Sequence, residues 1–360
     1  MRRHIYCVLM AGGSGTRFWP LSRRKKPKQL QNIASNKSML RLTVERVLPL
    51  SSFDRLLVVT GADQAAEVRK QIPEIPSANL IAEPVPRNTA PCVGLAAIHA
   101  LKKDPDAVMV VLPADHHIKP VSKFRTAIST AARRAIKGGL VTVGIRPTRP
   151  ETGYGYLELK EKPGSGQKPV MVKRFVEKPD SATAKKYIRG GRHLWNAGIF
   201  VFTARKIMDE LETHMPRLHT GLMEIADSIG TRLYNSTLEH VFPRLEAQSI
   251  DYGVMEKVDQ NEIFTVPACF HWSDVGSFAA LPEVARKDKA GNVVQGDALL
   301  LDTNESVVLA RGGRLVAVLG LDDVVVVDAG DSVLVCPVSK AQKVKEAVGV
   351  LRKKGRTELL

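Results

Sequence analysis

The amino-acid sequence predicts an α/β protein. A mixed, mostly parallel sheet covered by helices is expected over residues 1–288, followed by a small β-helix-like domain with a closing helix over residues 289–360. Three observations carry this prediction. Short aliphatic runs alternate with segments of helical periodicity through the front half, the pattern of strands buried on both faces. A glycine-rich loop, Gly12-Gly13-Ser14-Gly15, follows the first of these runs directly, at the carboxyl end of a strand, where parallel sheets bind ligands. After Lys289 the texture changes to short valine-rich runs spaced by Gly, Asp and Asn, which marks a separate β unit.

Taken in order, residues 4–10, 55–60, 107–112 and 140–145 are near-continuously apolar and bounded by turn residues, as buried strands are. A further strand ends at Glu83-Pro84. Between them, residues 63–71, 89–101 and 122–137 place apolar side chains three to four apart and open on Asp, Thr or Ser, which suits capped helices. From residue 152 to about 202 the pattern is richer in strands, at 154–159, 170–176 and 199–202, and helical patterns fill 205–257. The runs at 293–294, 298–301, 307–310, 315–319, 324–327 and 333–335 are rungs of a β-helix-like or sandwich unit, closed by a helix from about 341 to 351.

Hydrophobic content of 44% and charged content of 25% are those of an ordinary globular protein. No apolar run approaches the length needed to cross a bilayer. The amino terminus briefly imitates a secretion signal, but its apolar run breaks at Gly12-Gly13 and continues into Arg17, which fits a core strand instead. Cys7, Cys92, Cys269 and Cys336 are far apart and form no Cys-x-x-Cys pair, so reduced thiols in a cytoplasmic protein are expected. The net charge is +16, and no acidic residue precedes Glu45 although that stretch carries ten Lys and Arg. Such a focused positive potential concentrates polyanions, whether phosphorylated small molecules or nucleic acid. A second basic cluster, from Lys340 to Arg356, is expected to be a solvated helix face.

The strongest local signal is Ala11-Gly12-Gly13-Ser14-Gly15-Thr16-Arg17, followed by Pro20-Leu21-Ser22 and Pro27-Lys28-Gln29. Glycines after a parallel strand let backbone N–H groups approach phosphate closely. The loop is not a P-loop, because Gly-Lys-Ser/Thr is absent. Nor is it a dinucleotide fingerprint, because Phe18 stands where a third glycine is required and no acid follows before Glu45.

Further motifs follow in order: Arg87-Asn88-Thr89-Ala90-Pro91, Pro113-Ala114-Asp115-His116, Gly153-Tyr154-Gly155-Tyr156, Phe175-Val176-Glu177-Lys178-Pro179, Trp195-Asn196-Ala197-Gly198, Ser249-Ile250-Asp251-Tyr252 and Trp272-Ser273-Asp274-Val275-Gly276. Across residues 4 to about 280 this ordered set resembles the sugar-nucleotide pyrophosphorylases, and among them the branch that forms GDP-mannose. The resemblance implies a Rossmann-like nucleotidyltransferase catalytic domain at 1–288, Mg²⁺ as cofactor, and GTP and mannose 1-phosphate as substrates, in a cytoplasmic homodimer.

It also implies roles. Ala11, Gly12, Gly13, Ser14, Gly15 and Thr16 would cradle the triphosphate, Arg17 would fork onto its β/γ-phosphates and Lys28 would sit by the α-phosphate. Arg23, Arg24, Lys25 and Lys26 would act as a mobile electrostatic lure. Asp115 and Asp274 are the implied metal ligands, whereas the adjacent His116 and His117 are expected to be structural. Glu83 is the candidate reader of guanine, since a carboxylate accepts from both N1–H and N2–H; a surface acid or a partner of Arg87 are its alternatives. Asn88 and Thr89 would contribute at a helix start. Glu177, Asn196 and Asp251 would bind sugar hydroxyls, Lys178 the sugar's phosphate, and Gly155 would leave room for the ring.

Two other readings remain open at this stage. A guanylyltransferase for a manno-heptose 1-phosphate would present similar ring hydroxyls, and an inactive regulatory relative would keep the fold. A nucleic-acid binder is disfavoured, because aromatic content is only 5% and no basic strand face carries interleaved aromatics. Longer members of the resembled group carry an isomerase domain with metal-binding histidines. No histidine follows His271 here, so a single activity is expected. The expected role of residues 289–360 is structural, with an apolar face buried against the main domain or a second subunit.

Overall fold

A computed structural model describes residues 2–33 and 35–360. Its main sheet has nine strands. These are β1 (Ile5–Met10), β2 (Leu56–Gly61), β3 (Leu80–Glu83), β4 (Val108–Pro113), β6 (Leu140–Ile145), β7 (Tyr156–Leu159), β8 (Val170–Val176), β9 (His193–Thr203) and β10 (Ile263–Pro267). A separate two-stranded ribbon joins β5 (His117–Lys119) to β11 (His271–Ser273). The sheet order is β3-β2-β1-β4-β9-β6-β10-β8-β7. Only β8 and β9 run against the other strands, so the sheet is mixed and mostly parallel.

Helices cover both faces. They are α1 (Met39–Val47), α2 (Ala65–Gln71), α3 (Thr89–Lys103), α4 (Val121–Ala135), α5 (Ser181–Gly190), α6 (Ala204–His214), α7 (Pro216–Ser228) and α8 (Tyr234–Val241), while the short α9 (Leu281–Val284) packs with the β-helix instead. Successive side chains of a strand point to opposite faces, and β1 shows the consequence. Tyr6 and Val8 enter the core beneath α3, α6 and α7, while Ile5, Cys7 and Leu9 enter the core beneath α1 and α4. A strand buried on both sides has no polar face, which is why its sequence is continuously apolar.

The central antiparallel strand β9 is longer than its sequence pattern predicts. It starts at His193 rather than near Ile199 and carries Trp195-Asn196-Ala197-Gly198 within it. Running against β6, it sets Asn196 opposite Gly144, at the carboxyl edge of the parallel strands. The loops after β1, β3 and β4 leave from that same edge.

Residues 293–337 form β12 (Val293–Gly296), β13 (Ala298–Leu301), β14 (Val307–Ala310), β15 (Val316–Leu319), β16 (Val324–Asp328) and β17 (Val333–Pro337). Parallel pairing of β12-β14-β16 on one side and β13-β15 on another makes successive coils of a β-helix rather than a sandwich. The last helix, α10 (Val344–Lys353), follows. Inward valines and leucines of these coils share a buried core with Phe18, Ile33, Val275 and Phe278. The coils are therefore packed onto the loops that follow β1 and β11. Among the described residues, no helix is long and apolar enough to cross a membrane.

Candidate active site

The loop after β1 owes its shape to two residues downstream of it. Gln29 Nε2 donates to the carbonyls of Ala11 (2.6 Å) and Gly13 (3.0 Å). With those carbonyls turned inward, the amides of Gly12, Gly13 and Ser14 donate to no protein group among the described residues. Unpaired donors in one concave loop are an anion site. Gly15 turns left-handed (φ 58°), and a Cβ there would meet Lys28 Cβ at 2.6 Å and its backbone N at 2.8 Å. Only glycine fits against the lysine. The loop then tightens into a 3₁₀ turn, Thr16–Phe18.

Lys28 is buried. Its ammonium lies 2.8 Å from Asp115 Oδ2 and donates to the backbone carbonyl of Asp274. Asp115 follows β4 and Asp274 follows β11. The β5–β11 pairing, with His117 opposite Ser273 and Ile118 opposite Trp272, brings these two sequence-distant carboxylates to one cavity. Trp272 Nε1 donates to His116 Nδ1 (3.1 Å) within the same ribbon. Burial pushes His116 down to about 4, so its ring is neutral, and its Nδ1 is occupied by Trp272. Burial by itself would raise the Asp115 carboxyl, but the charge and hydrogen bond of Lys28 outweigh it and hold the group below the usual carboxylate range. Tyr154 Oη donates to Asp274 Oδ1 (2.6 Å). Val275 is held at φ 46° immediately after this carboxylate, a strained conformation for a β-branched residue.

The charged donor set that converges here is therefore two carboxylates. Oxygen donors beside a phosphate-binding loop fit a hard divalent cation such as Mg²⁺, which takes one or two carboxylates and keeps the rest of its shell for water and phosphate. The cavity they line has a volume of about 440 Å³ and also receives Ser14, Arg17 and Lys28. A three-residue group of potential metal ligands, His4, Asp104 and Asp106, lies elsewhere. It stands at the amino ends of β1 and β4, the opposite edge of the sheet.

A second cavity, about 680 Å³, runs from Gly12, Ser14 and Thr16 to Glu83. Glu83 is buried, its Oε1 has no hydrogen-bond partner, and Gly12 lets Oε2 approach within 3.2 Å of where a Cβ would be. It is neither a surface acid nor, among the described residues, ion-paired to Arg87 or any other cation. Desolvation raises its carboxyl to about 8. Arg87, Asn88 and Thr89 line neither cavity. Asn88 caps α3 at φ 68°, and the Thr89 hydroxyl accepts from the Ile250 amide (2.8 Å). Asn88 thus starts α3, and Thr89 ties that start to the segment before Asp251.

The third cluster is assembled from β8, β9 and a π-helical turn, Asp251–Met255. Asn196 Nδ2 donates to Asp251 Oδ1 (3.0 Å), while its Oδ1 accepts from Thr142 Oγ1 (2.9 Å) and the Gly198 amide (3.2 Å). Its acceptor is spent inward, so Asn196 can offer a ligand only an N–H. Sugar hydroxyls expected at Asn196 could therefore meet only its N–H. Glu177 ion-pairs with Lys178, which itself sits at φ 45°. A Cβ on Gly155 would fall 2.4 Å from Glu177 Oε2, so the glycine makes room for that carboxylate. Burial, with Glu177 as a like-charged neighbour, pushes Asp251 up to about 6.

Sequence reasoning missed Gln29, Tyr154 and the Trp272–His116 pair, all of which stand inside quoted motifs. Their partners are remote in sequence, so no spacing announces them. It also misjudged Arg23. Arg23 is no mobile lure, since it bonds Asp331 (2.6 Å), Ser332 (2.8 Å) and the Leu359 carbonyl. In the terminal cluster Lys345 and Arg352 are exposed, as expected, and also line the two cavities.

A phosphate loop, a buried lysine and two carboxylates at the carboxyl edge of an α/β sheet define a class that positions nucleoside triphosphates for group transfer. Comparison with known proteins agrees. The model of the nucleotidyl transferase family matches residues 6–291, and that of the MannoseP isomerase/GMP-like beta-helix domain matches residues 296–351. The chain is 40% identical over 358 residues to the xanthan biosynthesis protein XanB of Xanthomonas campestris pv. campestris (strain B100), covering 98% of this chain and 74% of that one. It is 39% identical over 366 residues to mannose-1-phosphate guanylyltransferase 2 of Escherichia coli O157:H7, covering 99% and 75%. A crystal structure from Thermus thermophilus, described as a mannose-1-phosphate geranyltransferase, superposes with a TM-score of 0.87 at 38% identity, covering 97% and 99%. The chain belongs to the nucleotidyl transferase family.

The Gly15–Lys28 contact yields the first prediction. Gly15→Ala must either adopt a strained left-handed alanine or push the loop off Lys28, at a cost of about 1–3 kcal/mol. Urea denaturation should read that loss, and calorimetry should show nucleoside triphosphate binding weakened about tenfold or more. Unchanged binding would mean that the loop does not hold phosphate.

Proposed function

We propose that this protein transfers GMP from GTP to α-D-mannose 1-phosphate, giving GDP-mannose and pyrophosphate, with Mg²⁺ as its metal. The observation that carries the reading is the convergence of three subsites on one edge of the sheet. These are a buried, unpaired carboxylate for the base, a glycine loop with Lys28 and two carboxylates for the phosphates, and a polar cluster for the sugar. The names of the E. coli relatives and 38–39% identity over nearly the whole chain support it.

In the reaction a phosphate oxygen of the sugar phosphate attacks the α-phosphorus of GTP in line, and the bond to the β-phosphate oxygen breaks. Positioning and charge stabilisation carry such a step. The amides of Gly12, Gly13 and Ser14 hold the phosphate chain, Arg17 neutralises its outer phosphates, and Lys28, fixed by Asp115, stands beside the α-phosphate. Asp115 and Asp274 would hold Mg²⁺, which supplies charge neutralisation when bound, and Tyr154 orients Asp274 for it. On the sugar side, Glu177 and Asp251 accept from hydroxyls, Lys178 meets the phosphate, and Asn196 holds Asp251 in place.

Glu83 accepts from guanine N1–H and N2–H, which requires its ionised form. Arg87, Asn88 and Thr89 support this wall rather than touch the nucleotide.

The protein is proposed to work as a homodimer joined through its β-helix. The outward side chains of β13 and β15, Leu299, Leu301 and Leu319, are 45–57% exposed, and the adjoining Leu315 and Leu321 extend the same apolar surface. Patches of that kind mark interaction sites. Four unpaired cysteines support a reducing, cytoplasmic setting.

Three outcomes test this reading. With four nucleoside triphosphates set against several sugar 1-phosphates, pyrophosphate release should be fastest for GTP with mannose 1-phosphate, should stop in a chelator, and should fall about 10²–10³-fold in Arg17→Ala. Preference for a heptose 1-phosphate would install the runner-up substrate.

The base contact is tested through pH. Glu83 keeps its proton to about 8 in the free protein, so GTP must displace that proton at lower pH. GTP affinity should rise with pH by at most about tenfold per unit until about pH 8, and Glu83→Gln should flatten the profile. Without nucleotide the sign reverses. The folded state holds a proton the unfolded chain has lost, so stability falls as pH rises from the ordinary carboxyl range to about 8. A flat GTP profile in the unsubstituted protein would remove Glu83 from the base site.

For the dimer, Leu301→Glu with Leu319→Glu should yield a monomer by analytical ultracentrifugation with its fold intact. A parent protein that is already monomeric would refute the interface.

A further inference from the structure

Helix α10 belongs to the β-helix unit, yet it is docked on the phosphate loop. Val344 and Val348 bury against Trp19, and Trp19 Nε1 donates to the Leu359 carbonyl (2.8 Å) just beyond the helix. This contact sets the rotation of the helix. Lys345, Val348 and Arg352 are spaced by three and four residues, so they share one stripe. At 1.5 Å per residue, that stripe carries its two cations about 10 Å apart along the helix axis.

Lys345 enters the cavity that holds Arg17, Lys28, Asp115 and Asp274, whereas Arg352 enters the neighbouring one that runs to Glu83. Both are exposed, and among the described residues neither has an acidic side chain within ion-pair distance. Most exposed lysines only solvate a surface. This one is held over the carboxylates and the phosphate loop by a buried hydrophobic contact.

The direction of the chemistry assigns its ligand. No residue of the sugar cluster lines either cavity. Under the proposed transfer the sugar phosphate and the leaving group are then assigned to different sides of the α-phosphorus, and an in-line displacement sends the leaving group toward Arg17 and Lys345.

Resting on the proposed guanylyl transfer, we propose that Lys345 is a ligand of the β- and γ-phosphates and remains with pyrophosphate as it leaves. The bond from the sugar phosphate oxygen to the α-phosphorus forms as the bond from that phosphorus to the bridging oxygen breaks. The bridging oxygen departs with the electron pair, and the Lys345 ammonium meets the charge it gains without transferring a proton. Arg352, in the cavity that runs to the base, serves the nucleoside end of the chain instead. The β-helix unit thereby completes the active site.

The reverse reaction separates these roles. Lys345→Ala should raise the KM for pyrophosphate about tenfold or more and leave that for GDP-mannose unchanged, with no change in Tm, and Lys345→Arg should recover most of the loss. Arg352→Ala should weaken GTP and GDP-mannose alike and spare pyrophosphate. Calorimetric titration with magnesium pyrophosphate reads the same contact without turnover, again with about tenfold weaker binding in Lys345→Ala. Equal pyrophosphate affinity in Lys345→Ala and the unsubstituted protein overturns the proposal. An inactive parent protein that still binds pyrophosphate through Lys345 would refute the guanylyl transfer alone.

Discussion

The buried ammonium of Lys28 is the constraint around which the rest of the site is arranged. A lone charge removed from water is costly unless it is paired and hydrogen-bonded, and Lys28 meets that demand with the Asp115 carboxylate and the Asp274 carbonyl. Both partners must then be delivered to one point. The β5–β11 ribbon does so, with the Trp272–His116 hydrogen bond inside it. Gly15 is required because the lysine backbone passes within a carbon's width of the loop. A single ion pair thus joins the loop after β1, the end of β4 and the turn after β11.

A second constraint couples this site to the β-helix. Phe18, in the turn that closes the phosphate loop, packs on Phe278 with ring centroids 4.8 Å apart, and both belong to a core shared with Val293, Val307, Val325 and Val327. Val275, next to Asp274, lies in the same core. Arg23 adds polar ties to Asp331 and Ser332. Displacement of the coils would therefore disturb two sides of the phosphate site together. This is a physical reason for the two units to act as one.

Much of the fold was legible because burial writes itself into local pattern. Strands covered on both faces are continuously apolar, as at 108–112, and amphipathic helices such as α4 repeat their apolar residues every three to four positions. The long β9 was legible only in part. Its first half carries Asn196 and Gly198, which serve the site and break the apolar run. Short elements such as β5, β11 and the π-helical turn at Asp251 had no readable period, because one turn or three residues are too few to show one.

By itself, the sequence determined the class of fold, the position of the phosphate loop and the order of the motifs, since each rests on neighbouring residues whose spacing is covalent. Tertiary structure alone decided which groups are free to act. Asn196 lost its acceptor to Thr142 and Gly198, Thr89 gave its hydroxyl to Ile250, and Glu83 was left buried without a partner. It also decided that Arg23 is tethered while Lys345 lines the cavity of Lys28, Asp115 and Asp274. A side chain's availability depends on what packs against it from distant parts of the chain, and no local spacing encodes that.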